Sequence, residues 1–342
     1  MNNDVRIGLI GAGRIGSNHA HLLAHAVPGA RLVAICDPSP SGTALAQELG
    51  VSTVESQADP MLRRSDVDAV VICAPARSHT DLVVQAAEAG KHVFVEKPMA
   101  VTLRDADRAI AAVTAAGIQL QVGFNRRFAP GWAAARAAID EGRVGTPQLL
   151  RSLTRDPGPF TADPGKIPPG TIFLETLIHD FDALCFLNPG ARPVRVNAVA
   201  AALIRPDAQT AGHLDTAVVT VEFDNGAIAT AEASFSALYG YDVRAEVFGS
   251  GGMVTAGCGR ADDLTYYGPS GIQQATARSD TQLLRDAYRG EFVEFVRAVS
   301  TNTPPSVTGR DARTALSIAQ AAMRSADCGA AVTIAEVEEV GA

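Results

Sequence analysis

The segment Gly11-Ala12-Gly13-Arg14-Ile15-Gly16 follows directly on the apolar run 5–10 and opens a helical pattern over 15–26. No other feature constrains the fold as tightly. At this spacing the first glycine permits a tight turn, the second lets a ligand approach the backbone, and the third lets the helix pack against the strand. The helix N-terminus then presents free N–H groups and a partial positive charge, which suits a diphosphate. Asp37 closes the second apolar run at the interval expected of a carboxylate that holds ribose hydroxyls. A 2′-phosphate would meet that carboxylate at close range, and Pro38-Ser39-Pro40 offers no arginine to neutralise it, so NAD is expected rather than NADP. Gly11, Gly13, Ile15, Gly16 and Asp37 are the expected core of the cofactor site. Arg14 either touches the diphosphate or faces solvent from the first helical turn.

Through residue 122, short β-branched runs alternate with Ala-rich helical stretches, the pattern of βαβ units on a parallel sheet. Strands are expected at 5–10, 31–36, 51–54, 69–73, 92–95 and 118–122, and helices at 15–26, 42–49, 79–89 and 103–116. After Gly123 the rhythm changes. A Gly/Pro-rich stretch runs from 157 to 170 and is followed by strand-like runs at 194–204, 216–223, 227–235 and 243–248, with Asp224-Asn225-Gly226 as a hairpin turn. Helical patterns return at 283–300 and 312–326, separated by Pro304-Pro305. The expected fold class is α/β. It joins an N-terminal Rossmann domain over 1–123, a doubly wound parallel sheet that binds NAD, to a C-terminal α+β domain over 124–342. The second domain is built on a large, mostly antiparallel sheet and serves substrate binding and oligomerisation.

Charge and composition narrow the function classes. Lys+Arg 29 against Asp+Glu 37 gives a formal net charge of -8, so no basic field exists to attract phosphate backbones and nucleic acid is not expected as a partner. Aromatic residues make up 5%, with one Trp, too few for a base-stacking surface. The longest apolar runs fall far short of the roughly 20 residues a spanning helix needs, so no membrane association is expected. The first four residues are polar and the patterned sequence starts at Val5, so no export signal is expected. Cys36, Cys73, Cys185, Cys258 and Cys328 are scattered and odd in number, which fits a reducing cytoplasm better than a disulfide framework or a thiolate zinc site.

Oxidising an alcohol requires a group to take the hydroxyl proton and another to stabilise the developing oxyanion. Two segments offer them. Glu96-Lys97-Pro98 closes the fifth strand, and Lys97, preceding a proline, is biased to extended backbone at the carboxyl edge of the sheet. An ordinary surface lysine beside a turn is the alternative. Glu175-Thr176-Leu177-Ile178-His179-Asp180-Phe181-Asp182 reads as helical and puts Glu175, His179 and Asp182 on one face at i, i+4 and i+7. His179 is the natural proton acceptor because its ordinary pKa lies near 6.5. A structural histidine is the alternative there. Ala74-Pro75 and His79 lie after strand four at the same sheet edge and join Glu96 and Lys97 as expected cofactor contacts, although His79 could equally start a helix without contacts.

These segments, with Gly123-Phe124-Asn125-Arg126-Arg127-Phe128 and Tyr239-Gly240-Tyr241-Asp242 before Glu246-Val247-Phe248-Gly249, resemble the glucose-fructose oxidoreductase and inositol dehydrogenase family over nearly the whole chain. Within it the resemblance is greatest to bacterial myo-inositol 2-dehydrogenases. It implies Lys97 as the catalytic lysine, His179 as the acid/base, Glu175 as a supporting carboxylate, and substrate-hydroxyl contacts from Tyr241, Asp156 and Arg127. It also implies an exchangeable NAD, a small polyol or sugar substrate, and assembly through the large sheet into homodimers or homotetramers. Inositol dehydrogenases usually carry Asp where this chain has Glu175, and the extra methylene moves a carboxylate by about an ångström, enough to change which hydroxyls are held.

The expected reaction is reversible oxidation of a ring secondary hydroxyl, on myo-inositol or a close stereoisomer. Glu175 keeps a pyranose or anhydrosugar dehydrogenase as the alternative, and a non-catalytic NAD-linked sensor is the reading from another class. His21 and His25 are spaced as two metal ligands, but no third is identifiable nearby, so no metal is expected. Arg126-Arg127 suits either an anion site for a phosphorylated substrate or pairing with domain-interface carboxylates.

Overall fold

The six N-terminal apolar runs form one all-parallel sheet from β1 (Val5–Ile10), β2 (Ala30–Cys36), β3 (Thr53–Glu55), β4 (Ala69–Ile72), β5 (His92–Val95) and β6 (Leu120–Val122). The structure is a computed structural model that describes residues 4–158, 167–257 and 259–341, so the middle of the Gly/Pro-rich stretch and Cys258 lie outside the described residues. The strand order is β3-β2-β1-β4-β5-β6, and it reverses between β1 and β4, where a doubly wound sheet takes its ligand. Every residue of β4 is buried, which is why this strand reads as an unbroken apolar run. Between the strands run α1 (Arg14–His25), α2 (Pro40–Leu49), α3 (Ala58–Leu62), α4 (His79–Glu88) and α5 (Leu103–Ala116). The third strand starts later than the expected 51–54. Gly50 closes α2 at φ +68 and the Val51 N–H still bonds to the Ala46 carbonyl, so Val51 belongs to the helix cap.

The remaining elements are α6 (Pro130–Asp140), β7 (Pro147–Arg155), a π-helical turn (Ile172–Leu177), α7 (Ile178–Phe186), β8 (Pro193–Ala201), β9 (Thr216–Phe223), β10 (Ile228–Ser234), β11 (Asp242–Gly249), β12 (Met253–Ala256), β13 (Arg260–Gly268), β14 (Gly271–Thr276), α8 (Asp280–Leu283), α9 (Arg285–Thr301), α10 (Gly309–Cys328), β15 (Val332–Thr333) and α11 (Ile334–Gly341). The second sheet has the order β12-β11-β7-β10-β9-β8-β15. Only its β7–β10 pair is parallel. The β9–β10 hairpin turns at Asp224-Asn225-Gly226, with Gly226 at φ +85. Neither β7 nor α6 was anticipated, since β7 carries polar side chains at positions that prove buried, Ser152 and Thr154. No helix among the described residues is long and apolar enough to cross a membrane.

The chain forms two compact units, and their division differs from a single cut after residue 123. The first unit runs to Asn125 and also takes in Asp286–Thr314, while the second holds Arg126–Arg285 and Ala315 onward. The reason lies in α9. Its Phe292 and Phe295, both fully buried, pack on Phe94 of β5 with ring centroids 4.6 and 5.9 Å apart, and Phe292 meets the His19 ring of α1 edge-on at 4.7 Å. The Gln121 amide donates to the Glu291 carbonyl at 2.7 Å, and the Val122 N–H to the Val307 carbonyl.

This aromatic patch encloses the carboxyl of Glu291, which burial pushes well above the ordinary range, the charge of Glu96 adding to the effect. The native state therefore keeps a proton that the unfolded chain releases near the ordinary Glu value, and stability falls as pH rises above that value. Glu291→Gln removes this slope. In thermal melts the variant should match the parent near pH 4.5 and exceed it increasingly toward pH 8; equal melting temperatures across that range would show that Glu291 titrates normally.

Candidate active site

Between β1 and α1 the backbone itself shapes a cradle. Gly11 sits at φ +98, and a Cβ there would stand 2.7 Å from the Cys73 carbonyl carbon; a Cβ on Gly16 would fall on the carbonyl oxygen of Gly11. Both positions are closed to any side chain. Gly13 is different, for a Cβ there would meet nothing within 4 Å, so its side of the turn opens outward at the N-terminus of α1. No side chain caps that helix and no acidic residue lies in its first turn, which leaves its N–H groups to an anion. Arg14 is exposed, while Ile15 is half-buried.

Asp37 is fixed before any ligand arrives. Its Oδ2 accepts the Ala12 N–H at 2.7 Å, and its Oδ1 accepts the Ser39 N–H at 2.8 Å and the Ser39 hydroxyl at 2.5 Å. Burial pushes this carboxyl up, but the bonds from Ser39 and Ala12 outweigh it and hold Asp37 below the usual range. The residue is therefore an anion beside the cradle, with no cation among its bonded partners. The open glycine, the uncapped helix and this carboxylate fit a dinucleotide whose ribose carries free hydroxyls.

Ala74 is half-buried and Pro75 exposed just beyond β4. The side chains of His79 and Glu96, both expected at the cofactor, are engaged with the protein itself. The His79 ring is buried, with Nδ1 2.8 Å from the Pro98 carbonyl and Nε2 2.7 Å from the Ala74 carbonyl, so both nitrogens hold backbone. Glu96 is also buried, its Oε1 2.7 Å from His19 Nε2 and its Oε2 accepting the Lys97 N–H at 3.1 Å. Burial raises the Glu96 carboxyl, yet the His19 bond and the charges of His19, Lys97 and His79 outweigh this and hold it below the usual range. Lys97 itself is half-buried at the end of β5.

The second unit places its own candidates around β7. Asp156 follows the end of β7 and Tyr241 precedes β11; because Arg155 pairs with Asp242, the two residues stand at the same end of neighbouring strands. Asp156 Oδ1 accepts the Gly158 N–H at 2.8 Å. The helix bearing His179 starts with a π-helical turn over Ile172–Leu177 that carries Glu175, and α7 follows with His179 and Asp182 at i and i+3. Glu175 is exposed, His179 half-buried with Nδ1 shielded, and Asp182 buried. Asp182 takes Arg127 instead, with Nε and Nη2 on its two oxygens at 2.9 and 2.5 Å. Arg127, expected at a substrate hydroxyl, thus commits one edge of its guanidinium to this pair and stacks over Phe186.

Arg126 pairs with Asp180 at 2.6 Å, and Asp180 also accepts the hydroxyls of Ser152 and Thr154 at 2.5 and 2.7 Å. Arg126 and Arg127 thus pair with carboxylates, as one of their two readings has it, but with carboxylates of their own unit and not of a domain interface. Asp180, Ser152 and Thr154 were not singled out from sequence, and the only signal was the charge alternation of His179-Asp180-Phe181-Asp182 against two adjacent arginines. His21, weighed as a metal ligand with His25, lies instead 3.5 Å from Glu48 at the surface.

A sheet crevice that cradles a diphosphate and selects the ribose defines a dinucleotide-dependent class of protein. Residues 5–124 match the oxidoreductase family with an NAD-binding Rossmann fold, and residues 132–255 match the GFO/IDH/MocA C-terminal domain. The chain is 36% identical to a myo-inositol 2-dehydrogenase of Thermotoga maritima, over 97% of this chain and 99% of that protein. It is 39% identical to an inositol 2-dehydrogenase of Rhizobium meliloti, over 94% and 96%. The solved structure of scyllo-inositol dehydrogenase from Lactobacillus casei with bound cofactor NAD(H) and scyllo-inositol matches with a TM-score of 0.93 at 28% identity, covering 97% of this chain and 99% of that one. The chain belongs to the GFO/IDH/MocA family of oxidoreductases, and its cofactor is NAD.

Removing the Asp37 charge should weaken discrimination against the 2′-phosphate. Asp37→Ser is expected to raise KM for NAD by about tenfold, the equivalent of one lost ribose interaction, and to give measurable turnover with NADP. Unchanged cofactor preference in steady-state kinetics would remove Asp37 from the selectivity argument.

Proposed function

We propose that the protein oxidises a ring secondary hydroxyl of a cyclitol, myo-inositol or a stereoisomer such as scyllo-inositol, to the ketone. The observation that carries this is similarity at 36–39% identity, over nearly the full length of both chains, to proteins named as inositol 2-dehydrogenases. When bound, NAD supplies the hydride acceptor. His179 takes the hydroxyl proton on Nε2, its Nδ1 being shielded from solvent. Lys97 stabilises the negative charge that develops on the same oxygen. Asp156, Tyr241 and Arg127 hold neighbouring hydroxyls, and Glu175 meets the ring or supports His179. Rigid seating of Lys97 and of the α7 backbone supports these roles, since the gain from oriented groups is lost when they shift by about an ångström.

Lys97→Ala and His179→Ala should each lower kcat with inositol by at least about a hundredfold, the range of a lost acid/base or oxyanion contact, while calorimetry still registers NAD binding. Near-normal turnover in either variant would dismiss the assigned role.

We further infer a cytoplasmic homo-oligomer, a dimer or tetramer built on the second sheet. Ile228, Leu149, Phe248 and Met253 lie side by side across β10, β7, β11 and β12 and are all exposed in the single chain, an apolar row of the kind that marks interfaces. Light scattering on the eluted protein should give a mass of two or four chains, and Phe248→Lys should shift it toward one; a monomeric parent protein would refute the assembly.

A further inference from the structure

The turn that carries Lys97 is held from two directions by buried histidines. His79 grips the Pro98 and Ala74 carbonyls. From the other direction, His19 reaches Glu96, and Glu96 in turn accepts the backbone N–H of Lys97. His19 lies on α1, the helix whose N-terminus forms the dinucleotide cradle. The backbone of α1 therefore leads from the cradle to a side chain that is 0% exposed, and hydrogen bonds of 2.7 and 3.1 Å lead on through a carboxylate 7% exposed to the peptide of Lys97.

Little in this path can yield. The His19 ring is walled by Phe94, Tyr288 and Phe292, with centroids 5.9, 5.5 and 4.7 Å away, so the imidazole has one orientation. Its Nδ1 faces this wall without a polar partner, which assigns the shared proton to Nε2, on the side of Glu96. Gly123 lies against Glu96 so closely that a Cβ would stand 3.2 Å from its carboxyl carbon, which closes the remaining side. Hydrogen bonds to an ionised carboxylate are short and strong, and in a dry setting they fix direction as well as distance.

We propose that His19 is a positioning residue for Lys97, coupling the lysine's backbone through Glu96 to the helix that holds the dinucleotide. This rests on the reading of Lys97 as the group at the reacting oxygen. It gives His19 and Glu96 a part in the reaction without contact with substrate: the cradle that places the cofactor also sets where the lysine stands. A competing use of the same atoms is a divalent cation held by His19, Glu96 and Glu291, whose ligand atoms lie within 4.8 Å of one another. The 2.7 Å contact between His19 and Glu96 favours a hydrogen bond.

The test compares His19→Leu, His19→Gln, Glu96→Gln and Lys97→Ala in the full chain, with NAD and inositol. His19→Leu should lower kcat between about tenfold and a hundredfold, the scale of a displaced catalytic group, and raise the primary deuterium isotope effect on kcat as hydride transfer becomes limiting. KM for NAD should move less than about threefold, because the cradle is intact. His19→Gln, whose amide can still donate to Glu96 from the position of Nε2, should recover most of the loss, and it carries the test with Glu96→Gln if the leucine variant does not fold. Unchanged kcat in His19→Leu beside an inactive Lys97→Ala would overturn the proposal and leave the role of Lys97 standing. Normal turnover in Lys97→Ala would sink both. A loss that follows melting temperature and is not restored by glutamine would reduce His19 to packing, and one zinc per chain in the purified protein, lost on His19→Leu, would make the cluster a metal site.

Discussion

A carboxylate taken out of water costs several kcal/mol unless charges and hydrogen bonds replace the lost hydration, and this protein buries one beside each side chain assigned to chemistry. Glu96 precedes Lys97, and Asp180 follows His179. Each finds its compensation in groups brought from distant segments: His19 for Glu96, and Arg126, Ser152 and Thr154 for Asp180. Breaking such a pair by deleting one partner is strongly destabilising, commonly about 3–5 kcal/mol, so the backbone at positions 96–98 and 179–181 is held far more firmly than loop backbone usually is. Buried charge here secures geometry more than it secures net stability.

The two halves reach that rigidity differently. In the first unit the parallel sheet puts the ends of β1, β4 and β5 along one edge, and the glycines of the cradle admit a ligand where side chains would block it. Asp37, already oriented by Ala12 and Ser39, needs no reorganisation to receive a ribose hydroxyl, and its charge is what disfavours a 2′-phosphate. In the second unit the mixed sheet offers β7 as a platform. Two hydroxyls from its inner face and two adjacent arginines fasten α7, while Asp156 and Tyr241 stand at the end of the same platform.

Much of this was legible in sequence. The strands of the parallel sheet, the glycine turn and Asp37 announce themselves because local chemistry determines them: short β-branched runs, buried on both faces in β4, and a turn only glycine can make. The allocation of α9 to the first unit was not legible, since it depends on Phe292 and Phe295 meeting Phe94 across some 200 residues of chain. Strand β7 was hidden because its buried Ser152 and Thr154 break the apolar alternation, and their reason for being polar is Asp180, on another element. The partners of His79 and Glu96, two carbonyls and a histidine, are invisible without coordinates. Likewise, no side chain of Ile172–Leu177 announces the π-helical turn that precedes α7.

The central claim is that these rigid groups serve oxidation of a cyclitol by NAD. It is tested most directly by following NADH formation with purified protein on myo-, scyllo- and chiro-inositol beside glucose, xylose and levoglucosan, with NADP in parallel. Turnover on an inositol with NAD, well above that on any sugar, is the predicted result. Turnover confined to a sugar would contradict it and make Glu175 the first residue to examine for specificity, and silence on every polyol with NAD still bound would contradict catalysis itself.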